Sequence, residues 1–392
     1  MPLFQTTVSC EIADSFRLRQ VAGLFDLPVG QRSAQSFSVE LPDKDEPWKI
    51  GLIVGPSGSG KSTIARSAFP AAQTPQPWPE GRAMVESLAG DIHLVTKTLA
   101  AVGFASPPAW LRPYQVLSGG EKFRADLARL LLSAGDAQEP VVMDEFTSVV
   151  DRTVARVGAA AVARAIRTGT IARRFVAVSC HYDILPWLCP DWCLDMATGC
   201  LTRYQKNTTA VDRLEPESTH DGQADTLRQT HQPRRTRGLL CRPAIRLDIH
   251  RCSHELWSIF KRYHYLSQSL PKATTCYVGL LSADSSEHLA HVPATPVALA
   301  VLSPVAGFKG YRRFSRVVVL PDFQGIGIGG KFRDAIASIE APRCQRLSLV
   351  TSHPGMIRSL NRSLKWVLRA SAKTTSCFHG PLAVGVDRGR MI

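Results

Sequence analysis

The chain lacks any apolar run approaching the roughly 18–20 residues that a membrane-spanning helix needs, although it is 392 residues long. At its start, Met1-Pro2-Leu3-Phe4-Gln5 has no basic stretch followed by an apolar one, so nothing there reads as a secretory leader. Ten cysteines are scattered with no dense framework, the usage of reduced thiols and not of a disulfide scaffold. These absences set the expectation of a cytoplasmic protein with no membrane contact. Zinc spacing is missing too. Cys189, Cys193 and Cys200 with His181, and Cys241 with His250, Cys252 and His254, supply ligand types without a recognised pattern and are left unassigned.

Acidic residues are scarce in one half only. Residues 1–206 hold 21 Lys and Arg against 20 Asp and Glu, whereas residues 207–392 hold 26 against 13, so the second half carries +13 of the net +14. A basic domain beside a neutral one points to a polyanion, most simply nucleic acid. A basic solubilising surface, or a cleft for an anionic cofactor, is the other reading of the same surplus.

Against these absences stands Gly55-Pro56-Ser57-Gly58-Ser59-Gly60-Lys61-Ser62, which follows the apolar Gly51-Leu52-Ile53-Val54 and precedes Thr63-Ile64-Ala65-Arg66. Strand, glycine-rich loop and helix in that order form a phosphate-binding P-loop. Gly55, Ser57, Gly58 and Gly60 let backbone N–H groups curl around a β-phosphate, Lys61 reaches the β- and γ-oxygens, Ser62 offers a hydroxyl to Mg²⁺, and Thr63 follows in the helix. The flanks fit. Segments such as Ser36–Leu41 alternate as strands, and the Pro/Gln-rich 70–79 is a loop.

Four further segments follow in order. Leu117-Ser118-Gly119-Gly120-Glu121 opens an amphipathic helix through Phe123, Leu127, Leu130 and Leu131. Pro140–Met143 is an apolar strand ending in Asp144-Glu145. Ser148-Val149-Val150-Asp151 comes next, and Phe175–Ser179 is a second apolar strand, ending near His181. Residues 191–201 read as a hairpin. Over 1–206 this set resembles an ABC-type ATPase. The resemblance implies that Asp144 supports Mg²⁺, Glu145 polarises the attacking water and His181 contacts the γ-phosphate. It also implies that Ser118, Gly119 and Gly120 bind the ATP of a partner protomer in an ATP-dependent homodimer. A hydroxyl and glycine N–H groups at a helix start form such a second phosphate site on physical grounds as well. Only 56 residues lie between Lys61 and Ser118, and Phe146 stands where transporters carry proline. With no membrane segment, soluble ATPases of the DNA-repair or chromosome type are the nearer analogy. Gln73, Gln76 and Gln115 are the open choices for a Mg²⁺-sensing glutamine.

Residues 207–240 are polar, poor in apolar side chains and end in Arg234-Arg235-Thr236-Arg237. Such a stretch cannot bury a core and reads as a flexible linker. Beyond it, 241–392 shows strands at 244–249, 275–281, 296–302, 316–321 and 346–351. A helix is expected through His254, Leu256, Trp257, Phe260 and Tyr263, another through Phe332, Ile336 and Ile339, and a third over 355–364. Gln324-Gly325-Ile326-Gly327-Ile328-Gly329-Gly330 lies between strand and helix. There the glycines admit a close backbone approach and the helix start presents N–H groups to a diphosphate. The rivals are a merely structural glycine turn and a Rossmann turn, which should open a βαβ unit with an acid about 20 residues on and is disfavoured because Glu340 comes early and the preceding layout is wrong.

Gln324-x-x-Gly-x-Gly resembles the acyl-CoA motif of GNAT acetyltransferases, which implies acetyl-CoA or another acyl-CoA bound at Gln324, Gly325, Gly327 and Gly329. Lys261–Ser267, Val319–Gly325 and Ser352-His353-Pro354 look like the Mom branch of GNAT-like enzymes, which modifies adenine in phage DNA. Acyl transfer needs a base for the amine and an acid for the thiolate. Tyr263, His264, Tyr265, Ser352 and His353 are the candidates.

The fold expectation is therefore α/β: an N-terminal ABC-type P-loop ATPase domain and a C-terminal GNAT-like domain with a mixed central sheet. The functional expectation is an ATPase fused to an N-acyltransferase acting on nucleic acid. Two alternatives stand beside it: a DNA-maintenance ATPase whose GNAT-like domain only binds, and a small-amine or protein acetyltransferase controlled by ATP.

Overall fold

The computed structural model describes residues 3–11, 13–25, 32–43, 45–70, 77–133, 139–205, 237–239, 245–264, 269–271, 273–282, 295–351, 353–363, 365–370 and 382–386. Two sheets organise the chain, with a small antiparallel pair ahead of them. That pair is β1 (Leu3–Glu11) and β2 (Arg32–Glu40), aligned Leu3 to Glu40. Between them lies α1 (Phe16–Phe25), a helix within a stretch where the sequence signals strands alone.

The first sheet is built on β3 (Ile50–Val54), whose five residues are all buried, as expected of a continuous apolar run covered on both faces. Its helices are α2 (Lys61–Ala68), α3 (Ile92–Ala101), α4 (Pro107–Trp110) and α5 (Gly119–Leu132). Then come β4 (Val141–Met143), α6 (Arg152–Arg167), β5 (Phe175–Ser179), α7 (Leu185–Leu188), β6 (Trp192–Asp195) and β7 (Cys200–Gln205). Strand order is β4-β5-β3-β6-β7, closed by β8 (Arg237–Leu239) at the edge. Strands β3 to β6 run parallel, and β6 and β7 form the expected antiparallel hairpin. Edge strand β8 pairs with β7 from Arg203↔Arg237 to Gln205↔Leu239, so the last residues of the expected linker belong to the first sheet. The rest of that linker, 207–236 and 240, lies outside the described residues.

The second sheet is a mixed one of seven strands, ordered β14-β15-β13-β12-β11-β10-β9. Its elements are β9 (Arg246–Cys252), α8 (Trp257–Phe260), β10 (Thr275–Ser282), β11 (Thr295–Val305), β12 (Phe308–Val319), α9 (Ile328–Glu340), β13 (Arg346–Thr351), α10 (Pro354–Asn361), β14 (Val367–Ala370) and β15 (Leu382–Val386). Strand β12 starts eight residues before the apolar stretch that signals it. Gly307 at φ 78° turns the chain so that Phe308 pairs back on Val305. The single helix expected over 254–263 is a short α-turn between two 3₁₀ turns, because the Ser253 hydroxyl accepts from the Glu255 N–H and tightens the entry. Each sheet has apolar packing on both faces. No helix among the described residues is long and apolar enough to cross a membrane.

Strands β12 and β13 are parallel and joined through α9. The glycine turn therefore does open a βαβ unit, and that feature cannot exclude a Rossmann turn. The surroundings do. Strands β9 to β12 form an antiparallel meander, and Glu340 is buried with its carboxylate bonded to Tyr277, Arg312 and Arg343.

Candidate active sites and the contact between them

Because β4, β5 and β3 are adjacent and parallel, the segments leaving their C-terminal ends lie side by side. These are Asp144-Glu145, the turn to His181, and the P-loop. The carboxyl ends of parallel strands are where open α/β sheets hold ligands. Gly60, at φ 84°, caps α2 without a side-chain bond, so the first N–H groups of that helix are available to an anion. Lys61 Nζ donates to Pro56 O at 2.7 Å and holds the loop closed upon itself. Ser62 Oγ donates to Asp144 Oδ1 at 2.9 Å, and the Glu145 N–H donates to the same oxygen at 3.0 Å. An all-oxygen pair beside a phosphate loop suits Mg²⁺, which takes one or two protein oxygens and completes its shell with phosphate and water. Glu145 is exposed, with φ 53°. His181 is half-buried at the end of β5, and its backbone N–H donates to Ser179 Oγ at 3.1 Å.

Sequence reasoning missed one neighbour of this loop. The Phe37 ring lies so close to Gly60 that a Cβ there would meet it at 2.3 Å, and it puts an aromatic face beside the phosphate cradle. An isolated Phe in an alternating strand carries no signal of that role.

Ser118 caps α5 in a reciprocal box with Glu121: Ser118 N–H donates to Glu121 Oε2 at 2.9 Å, and Glu121 N–H to Ser118 Oγ at 3.4 Å. Ser118 and Gly119 are exposed. Behind them Arg124, only 1% exposed, donates to Gly120 O and lies 3.5 Å from the Asp322 carboxylate of the second sheet's body. Burial lowers the Arg124 pKa, and the charge of Asp322 opposes that shift. Gln73 and Gln76 lie outside the described residues, and Gln115 is exposed and bonded to Pro79 O.

The second site is a cleft. Strands β12 and β13 pair only from Tyr311↔Arg346 to Phe314↔Leu349. Beyond that register Ser315–Val319 and Val350–Thr351 line a cavity of about 270 Å³. Gly325, Gly327, Gly329 and Gly330 stand at its mouth, and Tyr263 and His264 also line it. Gly327, at φ 95°, caps α9 without a side-chain bond. A Cβ would be tight at Gly329, where it would meet Val319 Cγ2 at 3.2 Å, and at Gly330 it would displace the Ser359 hydroxyl, 2.7 Å away. A glycine cradle ending in free helix N–H groups, joined to a slot between parting strands, fits an extended thioester with a diphosphate at one end.

The candidate acid and base groups separate clearly. Burial, with the positive charge of Arg316 second, pushes His264 down to about 4, so it is a neutral imidazole at pH 7. His353 is committed elsewhere. Its Nδ1 accepts from the Met356 N–H at 3.4 Å and its Nε2 lies 3.2 Å from Ala105 O, which caps α10 and ties it to the first body. With both nitrogens engaged, His353 serves as a strut. Tyr265 and Ser352 lie outside the described residues. The Gln324 amide is likewise engaged, donating to Val319 O and accepting from the Ala105 N–H at 2.8 Å.

These bonds belong to a wider contact that the sequence does not announce. Gly325 meets Gly103 and Ala161 so closely that a Cβ would lie 2.9 Å from Gly103 Cα and 2.6 Å from Ala161 Cβ. Arg358 donates to Lys97 O, and Arg164 Nη1 to Gly325 O at 3.2 Å. Val157 of α6 packs into the second body's core, and Ile326 touches both cores.

No family model matches the chain, and no curated protein does. Among solved structures the likeness divides between two kinds of protein. One is a bacterial Atm1-family ABC exporter with ATP bound, 19% identical over 41% of this chain and 33% of that one, TM-score 0.30. Another of that kind is an ATP-binding cassette of an ABC transporter in its ADP conformation, 18% identical over 43% and 84%, TM-score 0.30. The other kind includes an IAA acetyltransferase from Bacillus cereus, 12% identical over 36% of this chain and 99% of that one, TM-score 0.27. The chain thus spans a third of the exporter's length. At these scores the likeness concerns fold alone, and the chemistry rests on this chain's own residues.

The metal readings of the cysteines find no geometry. Among the described residues no three His, Cys, Asp or Glu side chains cluster as a metal site. Burial pushes the Cys193 thiol up to about 12 and the Cys252 thiol up to about 11, so both are protonated thiols at pH 7. Cys241 lies outside the described residues.

Proposed function

We propose that the chain hydrolyses ATP at the first site and transfers an acyl group from acyl-CoA to an amine of nucleic acid at the second. The observation that carries the transferase reading is the parting of β12 from β13 beyond Phe314↔Leu349, with a glycine-capped helix start at the mouth of the slot. An amine nitrogen attacks the thioester carbonyl: the N–C bond forms, the C–S bond breaks, the surplus amine proton passes to neutral His264, and the departing thiolate takes a proton from the Tyr263 hydroxyl. The basic half, +13 over 207–392, supports a polyanionic acceptor.

At the first site, Ser62 and Asp144 would hold Mg²⁺, which would neutralise charge on the phosphate oxygens, Glu145 would orient water, and His181 would contact the γ-phosphate. The Ser118–Gly120 helix start, exposed at Ser118 and Gly119, then serves a second copy in an ATP-dependent dimer. Adenine N6 is stacked within a duplex, and exposing it costs a few kcal/mol. An ATP-driven clamp supplies that distortion.

Mass spectrometry of nucleosides from cells producing the wild type, Lys61→Ala or Gly327→Glu tests this. A modified base in the wild type, lost in both variants, is the expected result. Unmodified nucleosides in all three cultures would overturn the nucleic-acid acceptor, and acylation of polyamines by the purified chain would then move the acceptor to a small amine.

A further inference from the structure

The mouth of the acyl-donor cavity is built from both bodies. Arg164, in the last turn of α6, lines it together with Gly325, Gly327 and Gly329. Its Nη1 donates to Gly325 O at 3.2 Å, which sets the guanidinium directly on the glycine loop. A Cβ built on Gly327 would meet Nη1 at 2.4 Å and Cζ at 3.0 Å, so the guanidinium lies against the loop backbone, while φ 95° is what calls for glycine there. The α6 backbone beneath packs on the loop, since Ala161 abuts Gly325 and Val157 is buried in one cluster with Phe323. Arg164 is itself exposed. Its charge therefore stands at the solvent-facing end of the cavity, over uncapped N–H groups of α9. A planar guanidinium beside a helix start is the arrangement that recognises a diphosphate.

From this geometry we infer that Arg164 of the ATPase body is a diphosphate-binding residue of the acyl-donor site, so that the transferase cavity is incomplete without the ATPase body. This rests on the acyl-CoA reading above. The consequence is that any displacement of α6 during the ATP cycle changes the affinity for the donor.

Isothermal titration of the purified full chain with coenzyme A, and separately with pantetheine, which lacks the diphosphate, tests the assignment. Arg164→Ala should weaken coenzyme A binding at least tenfold, leave pantetheine binding within twofold, and leave ATP binding unchanged. Arg164→Lys should recover part of the loss. Coenzyme A binding within twofold of wild type in Arg164→Ala would overturn the inference while leaving the transferase reading intact. Equal losses for coenzyme A and pantetheine would also overturn it, since the cavity itself would then have changed. If the wild type bound neither ligand, the acyl-CoA reading would fall and this inference with it.

Discussion

The chain contains two glycine loops, each opening a helix, and they are finished in opposite ways. The loop at Gly55–Ser62 makes its contacts to this chain within its own body, with Phe37 beside Gly60 and the Asp144 carboxylate bonded to Ser62. At Gly58 a Cβ would find nothing within 4 Å, so that flank faces open space. The loop at Gln324–Gly330 is wedged onto a neighbouring body, and the full charge set on it is an arginine. The difference follows from the chemistry proposed for each. Where a phosphoryl group is transferred, a divalent ion must neutralise charge on the reacting oxygens, so a hydroxyl and a carboxylate are placed to hold it. Where a diphosphate is only an anchor, a guanidinium and helix N–H groups suffice.

The sharpest way to break that comparison is at Lys61. Replacing it by alanine should lower ATP hydrolysis by roughly 100-fold or more, because the amine stabilises charge that grows in the transition state. The same variant should bind coenzyme A as the wild type does, measured by titration without nucleotide. Loss of coenzyme A binding would show that the two loops are not separately finished.

A second test contrasts the glycines. Gly325→Ala places a methyl group against Gly103 and Ala161 at φ 88°, combining a left-handed backbone with overpacking at a cost of roughly 3 kcal/mol or more. Gly58→Ala, at φ 79° in open space, carries only the backbone cost of about 1–2 kcal/mol. Urea denaturation of both variants measures the gap. Equal losses would mean that the contact between the bodies yields easily and that the second loop is not held by it.

How much of this was legible in the sequence depends on what each residue answers to. The P-loop, Asp144 and His181 are fixed by local context, because a run of apolar residues ending in a characteristic side chain specifies a buried strand and its C-terminal tip together. The gap between β12 and β13 is a matter of pairing partners, and nothing in Arg316–Val319 distinguishes a strand bonded on one side from one bonded on both. Arg164 and Gly103 read as an ordinary helix arginine and an ordinary helix end. Their role arises only when a segment more than 150 residues away packs on them. His353 illustrates the converse: residue type made it a candidate base, and its two committed nitrogens make it a strut.

The smallest expected effect separates His264 from an ordinary surface histidine. Its neutral form is the proposed base, and burial, followed by the Arg316 charge, lowers it to about 4. The acid limb of kcat/KM for acyl transfer should therefore fall near pH 4 and not near 6.5. Stability runs the same way. The unfolded chain takes up the His264 proton at its ordinary value while the folded chain does so only near 4, so folding weakens as pH drops through that window. Arg316→Gln removes the lesser cause and leaves burial in place, so the limb should move upward by less than one pH unit. A limb that stays near 6.5 in both proteins would transfer the proton to another group. The first loop gives the contrast: ATP hydrolysis uses no group of the second cavity, and its pH profile should be the same with Arg316 or Gln at that position.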